Sequence, residues 1–245
     1  MDNGKSYEVE KVKEILKNSK YAVFFGGAGV STESGIPDFR GNGGLYSDGE
    51  ESSEYYLSRD CLETEPKEFF RFFRRNMVFD SFEPNDAHNA LADMEERGII
   101  KAVITQNIDG LHQKAGSRRV IELHGSASRH YCIRCGRVYD SEGLLDMGEI
   151  PRCDSCGGVV RPDVTLYGEA LDGGCFSDAE EEISKADVLI VGGTSLVVQP
   201  AASLVELYQG EHLIIINYSP TPYDGVAEYV IIGSLAEVLS IFAEE

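Results

Sequence analysis

The stretch Tyr21-Ala22-Val23-Phe24-Phe25-Gly26-Gly27-Ala28-Gly29-Val30-Ser31-Thr32 runs an apolar segment straight into a turn of small residues. An uninterrupted apolar run of this length suits a strand covered on both faces, as the strands of a parallel sheet are. The small residues after it let backbone amides approach a pyrophosphate at a helix start. Two features weaken the dehydrogenase version of that motif. Thr32 stands where the third glycine of G-x-G-x-x-G belongs, and no acidic residue follows at a second strand end about twenty residues on. Glycine-rich turns after buried strands are also common as plain connections.

Outward from this stretch, apolar runs alternate with segments of helical period, the pattern of an α/β fold with helices on both faces of a sheet. Strands are expected at Tyr21–Phe25, Ala102–Thr105, Val120–Leu123, Val164–Tyr167, Val188–Val191, Leu213–Ile216 and Tyr229–Ile232. Together they predict a doubly wound, parallel-sheet, Rossmann-like domain. Helices are expected at Val9–Leu16, Pro66–Arg75, Asp86–Arg97, Asp178–Lys185, Pro200–Tyr208 and Leu235–Phe242, with Asn85 and Ser234 as N-caps. The polar stretch 41–60, rich in Gly, Ser, Glu and Tyr, reads as a long, mobile loop beside a cofactor site within this domain.

Cys132, Cys135, Cys153 and Cys156 form two C-x-x-C pairs, with 17 residues between them. That spacing reads as one tetrahedral zinc site, with two disulfides, a redox pair or coincidence as alternatives. Four protein ligands leave no position open for water or substrate, so the metal would be structural and the chemistry would lie elsewhere. Segment 130–160 has little apolar content and is expected to be a zinc-held insert between 1–129 and 161–245. Zinc-binding thiolates require reducing surroundings; with no signal-peptide layout at the N-terminus and no membrane-length apolar run, the expected location is cytoplasmic. Cys61 and Cys175 suggest no framework of bridges. Against 42 acidic side chains stand 22 basic ones, a net charge of −20. Such a field repels nucleic acid and favours cationic partners, although solubility alone would also account for it.

Three polar turns are expected on the carboxyl-end rim of the sheet, where ligands of open α/β folds bind. They are Gly26–Thr32, Gly192-Gly193-Thr194-Ser195 and the position of Asn217. On the same rim Thr105-Gln106-Asn107-Ile108-Asp109-Gly110 places two amides and a carboxylate, and Val120-Ile121-Glu122-Leu123-His124-Gly125 ends an apolar run on a histidine. A histidine there can face a crevice and titrate near neutral pH, which makes His124 the foremost general-base candidate. A lone histidine at a strand end is otherwise a satisfied structural group.

In this order the pieces resemble the sirtuin family of NAD-dependent protein-lysine deacylases, bacterial in type. The likeness is carried by Gly27-Ala28-Gly29-Val30-Ser31, Gly35-Ile36-Pro37-Asp38-Phe39-Arg40-Gly41, Thr105-Gln106-Asn107-Ile108-Asp109, His124-Gly125, the four cysteines, Gly193-Thr194-Ser195 and Ile216-Asn217. The resemblance implies that NAD is consumed as a co-substrate and that one zinc is structural. Acyl groups, acetyl above all, would leave lysine side chains, giving nicotinamide, O-acyl-ADP-ribose and free lysine. It implies that Ala28, Thr32 and Arg40 line the diphosphate and ribose side, that Thr194, Ser195 and Asn217 hold the adenosine half, and that Ile232 is a further cofactor contact. Gln106, Asn107, Ile108 and Asp109 would receive the nicotinamide ribose and ring, in a pocket that Ile36 helps to close. Phe39 would cover the reacting ribose. Asn107 and His124 would be catalytic, with His124 taking a proton from a ribose hydroxyl.

The acyl-lysine protein would add as an extended strand along Thr165, Tyr167, Gly168 and Glu169 and the stretch after Leu196, including Val197, with Glu169 drawing basic peptides. Nucleic acid and membrane are not expected as partners, and a monomer is expected. Where many relatives carry threonine before the small-residue turn, this chain has Gly26; where they carry Phe-Gly-Glu it has Tyr167-Gly168-Glu169, with Thr165 for an aliphatic residue. Relatives that remove succinyl or malonyl groups use a Tyr-x-x-Arg pair. Its counterpart here, taken as Phe72–Arg75, lacks the phenol, so neutral acyl groups are expected. An ADP-ribosyltransferase using the same NAD site is the alternative activity.

Overall fold

The structure is a computed structural model that describes residues 3–38, 53–140 and 147–244. Its main element is a six-stranded, wholly parallel sheet of β1 (Ala22–Gly26), β2 (Ile100–Thr105), β3 (Val120–Glu122), β7 (Val188–Gly192), β8 (His212–Asn217) and β9 (Tyr229–Ile232), in the order β3-β2-β1-β7-β8-β9. Successive side chains of a strand point to opposite faces, so each buried strand feeds two cores. On one face Phe24, Val103, Ile190 and Ile214 meet Val9 and Val12 of helix Asn3–Asn18, Leu91 and Met94 of helix Asp86–Glu96, and Val238 and Leu239 of helix Leu235–Ala243. On the other, Val23, Phe25, Leu189, Val191 and Ile215 meet Ala179 and Ile183 of helix Gly173–Lys185 and the 3₁₀ segment Ala201–Leu207. The doubly wound reading therefore holds.

Both expected caps form. The Asn85 side chain accepts from the Ala87 N–H (2.9 Å) and the Ser234 hydroxyl from the Glu237 N–H (3.1 Å), each filling an otherwise unpaired first-turn donor.

The seventh expected strand is not in this sheet. Val164 ends β6 (Val160–Val164), which pairs antiparallel with β4 (Gly125–Cys132), itself paired with β5 (Val138–Asp140), in a separate three-stranded sheet. Thr165–Tyr167 continues extended and makes a bridge from Tyr167 to Ser58. An apolar run marks a buried extended segment but not its partner, which is why the pattern did not tell the two sheets apart. The small sheet begins at Gly125 and ends at Val164, wider than 130–160, and packs on helix Pro66–Asn76 through Phe70, Phe73, Ala127, Val164 and Leu166. Part of the stretch read as a loop is regular too. Residues 41–52 lie outside the described residues, whereas Ser53–Tyr56 and Arg59–Thr64 are helical, the second capped by Ser58. Among the described residues no helix is long and apolar enough to cross a membrane.

At the centre of the main sheet the strand order reverses between β1 and β7, which opens a crevice at their carboxyl ends. The turn after β1 lies directly on the turn after β7. The Gly29 N–H donates to the Gly193 carbonyl at 2.8 Å, and the Gly27 N–H to that of Gly192 at 3.3 Å. A Cβ on Gly29 would fall 2.7 Å from Gly193 Cα, and one on Gly193 would fall 2.5 Å from the Val30 nitrogen, at a φ of +63°. Backbone touches backbone here, and neither side has a flexible atom that could yield. Replacing Gly193 by Ala is expected to lower stability by roughly 1–3 kcal/mol, checked by denaturant melts.

Candidate active site

A cleft of about 510 Å³ runs along this rim and collects nearly every expected residue. Ala28 and Thr32 line it from the first turn, Gln106, Asn107, Ile108 and Asp109 from the segment after β2, and His124 from the junction of β3 and β4. Thr194, Ser195 and Asn217 line the side beneath β7 and β8, and Thr165, Tyr167, Gly168 and Glu169 the wall toward the small sheet. Phe39 and Arg40 lie outside the described residues.

Two expected residues, Ile232 and Val197, are not among those that line the cleft, although their neighbours Gly233 and Val198 are. Ile232 ends β9 and is 49% exposed, beside a fully buried Ile231. Val197 is 51% exposed and follows Leu196, which is buried at a positive φ of 54°. One correction concerns the glycines. The N–H groups of Gly27 and Gly29 are spent on the 192–193 turn, so these glycines serve close packing of two turns rather than offering both amides to a phosphate.

His124 is held at both ends. Its Nδ1 lies 2.9 Å from the carbonyl oxygen of Gln106, an acceptor only, so Nδ1 carries the proton and donates. Nε2 is left with its lone pair, the form a base requires. The backbone carbonyl of His124 accepts from the Thr165 N–H at 2.9 Å, tying the base to the wall of the cleft. Burial pushes the imidazole pKa below its ordinary value, and the bond to Gln106 offsets part of that shift. The ring is therefore neutral at physiological pH.

Behind Asn107 and Asp109 sits a residue without a role in the sequence reading. The Ser31 hydroxyl donates to Asp109 Oδ2 at 2.7 Å and accepts from Asn107 Nδ2 at 3.1 Å, with His88 Nε2 a further 3.4 Å contact. Asp109 Oδ1 takes the Leu111 N–H at 2.9 Å. Burial raises the Asp109 pKa while the Leu111 and Ser31 bonds pull it back, and burial pushes His88 down to about 4. Amide and carboxylate are thus fixed by a neutral, buried support. The clue in the sequence was a serine directly after a turn that faces the rim. At the far side of the cleft, Gln106 Nε2 donates to Thr194 Oγ1 (3.0 Å) and Asn217 Nδ2 to the Thr194 carbonyl (2.6 Å), linking three strand ends.

Glu169 departs from expectation as well. Its carboxylate is paired with Arg161 (2.5 Å and 3.0 Å) and accepts the Leu166 N–H at 2.9 Å. Burial alone would raise its pKa, but the Arg161 and Leu166 bonds outweigh it and the net shift is downward. Its charge is neutralised inside the fold and is not offered to basic peptides. The N–H groups of Thr165 and Tyr167 are also spent, on the carbonyls of His124 and Leu57. An added strand here would therefore meet carbonyl acceptors more than donors.

None of the four paired cysteines lines the cleft. Their sulfurs lie within 4.8 Å of one another, with 3.4 Å from Cys132 to Cys156 and 3.6 Å from Cys135 to Cys153. Ligands about 2.3 Å from a tetrahedral ion would sit about 3.8 Å apart, whereas a disulfide needs about 2.05 Å. All four cysteines are free thiols converging on one point, and a tetrahedral metal fits where two bridges do not.

With this geometry in view, comparison with known proteins is decisive. The family model described as "Sir2 family" matches residues 27–200. The chain belongs to the Sir2 family. A protein of Clostridium perfringens (strain 13 / Type A) named NAD-dependent protein deacetylase is 51% identical over 236 residues, which is 95% of this chain and 97% of that protein. A solved Sir2 structure holding a deacetylated p53 peptide and 3′-O-acetyl ADP ribose superposes with a TM-score of 0.88 at 39% identity, covering 95% of this chain and 96% of that one. A Sir2 structure with a p53 peptide and NAD+ gives 0.85 at 39% identity, covering 94% and 95%. Because the cysteine cluster is separate from the cleft, Cys132→Ser should lower the metal content of the purified protein and melt the small sheet first, as read by metal analysis and by hydrogen exchange over 125–164. An unchanged metal content would reject the cluster as ligand set.

Proposed function

We propose that this chain removes neutral acyl groups, acetyl foremost, from protein lysine side chains at the expense of NAD. The observation that carries the reading is a single imidazole with its proton fixed on Nδ1 by Gln106, on the cleft that the Asn107–Asp109 pocket and the Thr165–Glu169 wall share. Bound NAD would supply an ADP-ribosyl electrophile with nicotinamide as leaving group, the acyl group ending on ADP-ribose. Asn107 and Asp109, braced by Ser31, would hold the nicotinamide ribose. Thr194, Ser195 and Asn217 would hold the adenosine half, and Ala28 and Thr32 would face the diphosphate, with Arg40 assigned there and Phe39 over the reacting ribose from the motif. His124 would take a proton from a ribose hydroxyl as the acyl carbon is attacked. Burial of the cleft keeps its lone pair available and excludes competing water.

The acyl end of the cleft supports a neutral cargo. Phe73, Met77, Phe79, Ile108, Leu57 and Val164 line it, with Asn76 as its polar member. Neither end of the suggested Phe72–Arg75 pair reaches it. Phe72 stacks on Tyr56 at 5.2 Å, Arg75 is exposed, and between them Arg74 is held by the carbonyls of Gly148 and Glu149. Among the described residues lining the cleft there is no lysine or arginine to meet a succinyl carboxylate.

The remaining parts of the reading are a zinc ion on the four cysteines, holding 130–160 as scaffold between 1–129 and 161–245, and a cytoplasmic monomer, the setting in which such thiolates stay reduced. Substrate peptides would lie along Thr165, Tyr167 and Gly168.

Mass spectrometry of acetyl- and succinyl-lysine peptides incubated with and without NAD tests the activity. Loss of acetyl only with NAD, and O-acetyl-ADP-ribose among the products, is expected; ADP-ribose attached to protein instead would point to transferase chemistry. Replacing His124 with Ala should cut turnover by ~10²–10⁴-fold while NAD binding persists. Because burial lowers the His124 pKa, the active neutral base survives into acid. The acid limb of kcat/KM for the wild type should fall below the ordinary imidazole value of about 6.5, and a limb above it would remove His124 from the role.

A further inference from the structure

Arg161, second residue of β6, is buried, with its side chain 7% exposed. Burying a guanidinium costs several kcal/mol unless every donor is met, so its partners show what it is for. Nη1 and Nη2 grip the two Glu169 oxygens, Nη2 also donates to the Val164 carbonyl at 2.7 Å, and Nε donates to that of Pro162 at 3.2 Å. The Tyr131 ring lies 5.9 Å beneath it. From Glu169 the contacts pass to the strand itself. Its carboxylate accepts from the Leu166 N–H, and its own N–H donates to the Leu166 carbonyl at 2.9 Å, closing a tight turn through Gly168 at a φ of +86°. Val164 and Leu166, the residues so fixed, line the cleft.

We propose that Arg161 is a positioning residue for substrate: acting through Glu169, it anchors the 164–168 wall to the small sheet in the shape that receives the acyl-lysine peptide. On this reading the pair acts through the shape of the wall, with the two charges spent on each other. An apolar pair of similar volume would fill the same space, often at no loss of stability. What the ion pair adds is direction, because a bidentate guanidinium holds a carboxylate in one plane and one register. The small sheet thereby shapes substrate affinity as well as supporting the fold.

This inference rests on the deacylase reading, and the test separates the two. Binding of an acetyl-lysine peptide is followed by fluorescence anisotropy, independently of turnover, in the wild type, Glu169→Gln and the double variant Arg161→Met/Glu169→Met. Glu169→Gln keeps an acceptor for the Leu166 N–H but loses the charge. It should weaken peptide binding and raise the peptide KM about tenfold, with the NAD KM and bound metal within about twofold of wild type. The double variant should fold with wild-type metal content and still bind peptide weakly. Wild-type peptide affinity in the folded double variant, or an equal rise in the NAD and peptide KM values, overturns the proposal, as does failure of both variants to fold. Peptide binding without NAD-dependent turnover in the wild type would overturn the deacylase reading while leaving the positioning test intact.

Discussion

The close contact between the Gly29 and Gly193 backbones is the constraint on which the rim of the sheet depends. It lies where the strand order reverses, so it joins the two halves of the doubly wound sheet at the point where a ligand must enter. With those turns fixed, Gln106 can reach Thr194 and Asn217 can reach the Thr194 carbonyl, and that side of the cleft follows. A side chain at either glycine would have to displace main chain, the least yielding material in a packed interior.

The second joint is His124. Its ring is oriented by the carbonyl of the residue after β2, and its own carbonyl holds Thr165, the first residue beyond β6. One turn residue therefore ties the two sheets together, and β4 begins immediately after it. Gly125 makes the handover possible, since a Cβ there would fall 2.0 Å from the Asp163 carbonyl oxygen. The cysteine cluster stands at the far end of the same small sheet. It lies apart from the cleft and is joined to it through the strands that lead back to His124 and Thr165.

Electrostatics within the cleft follow burial more than the net charge of −20. His124 and His88 are kept neutral, Asp109 is pushed upward, and Glu169 is neutralised by Arg161. The acidic surface and the cleft are thus separate problems: the first is screened within about 8–10 Å at ordinary salt, while the second is set by hydrogen bonds a few ångströms long.

Much of this was legible in the chain because the signals are local. Buried strands announce themselves as apolar runs, caps by a polar residue at a helix start, and a metal cluster by two C-x-x-C knuckles. The motif order carried the rim residues, since each follows a strand whose carboxyl end is fixed by chain direction. Tertiary structure alone decided the rest, because it depends on which distant segments meet. It moved Val164–Tyr167 out of the parallel sheet, placed Ser31 under Asn107 and Asp109, and gave the Glu169 charge to Arg161. Periodicity specifies how a side chain is buried; its partner is chosen by the packing of elements that can lie scores of residues apart.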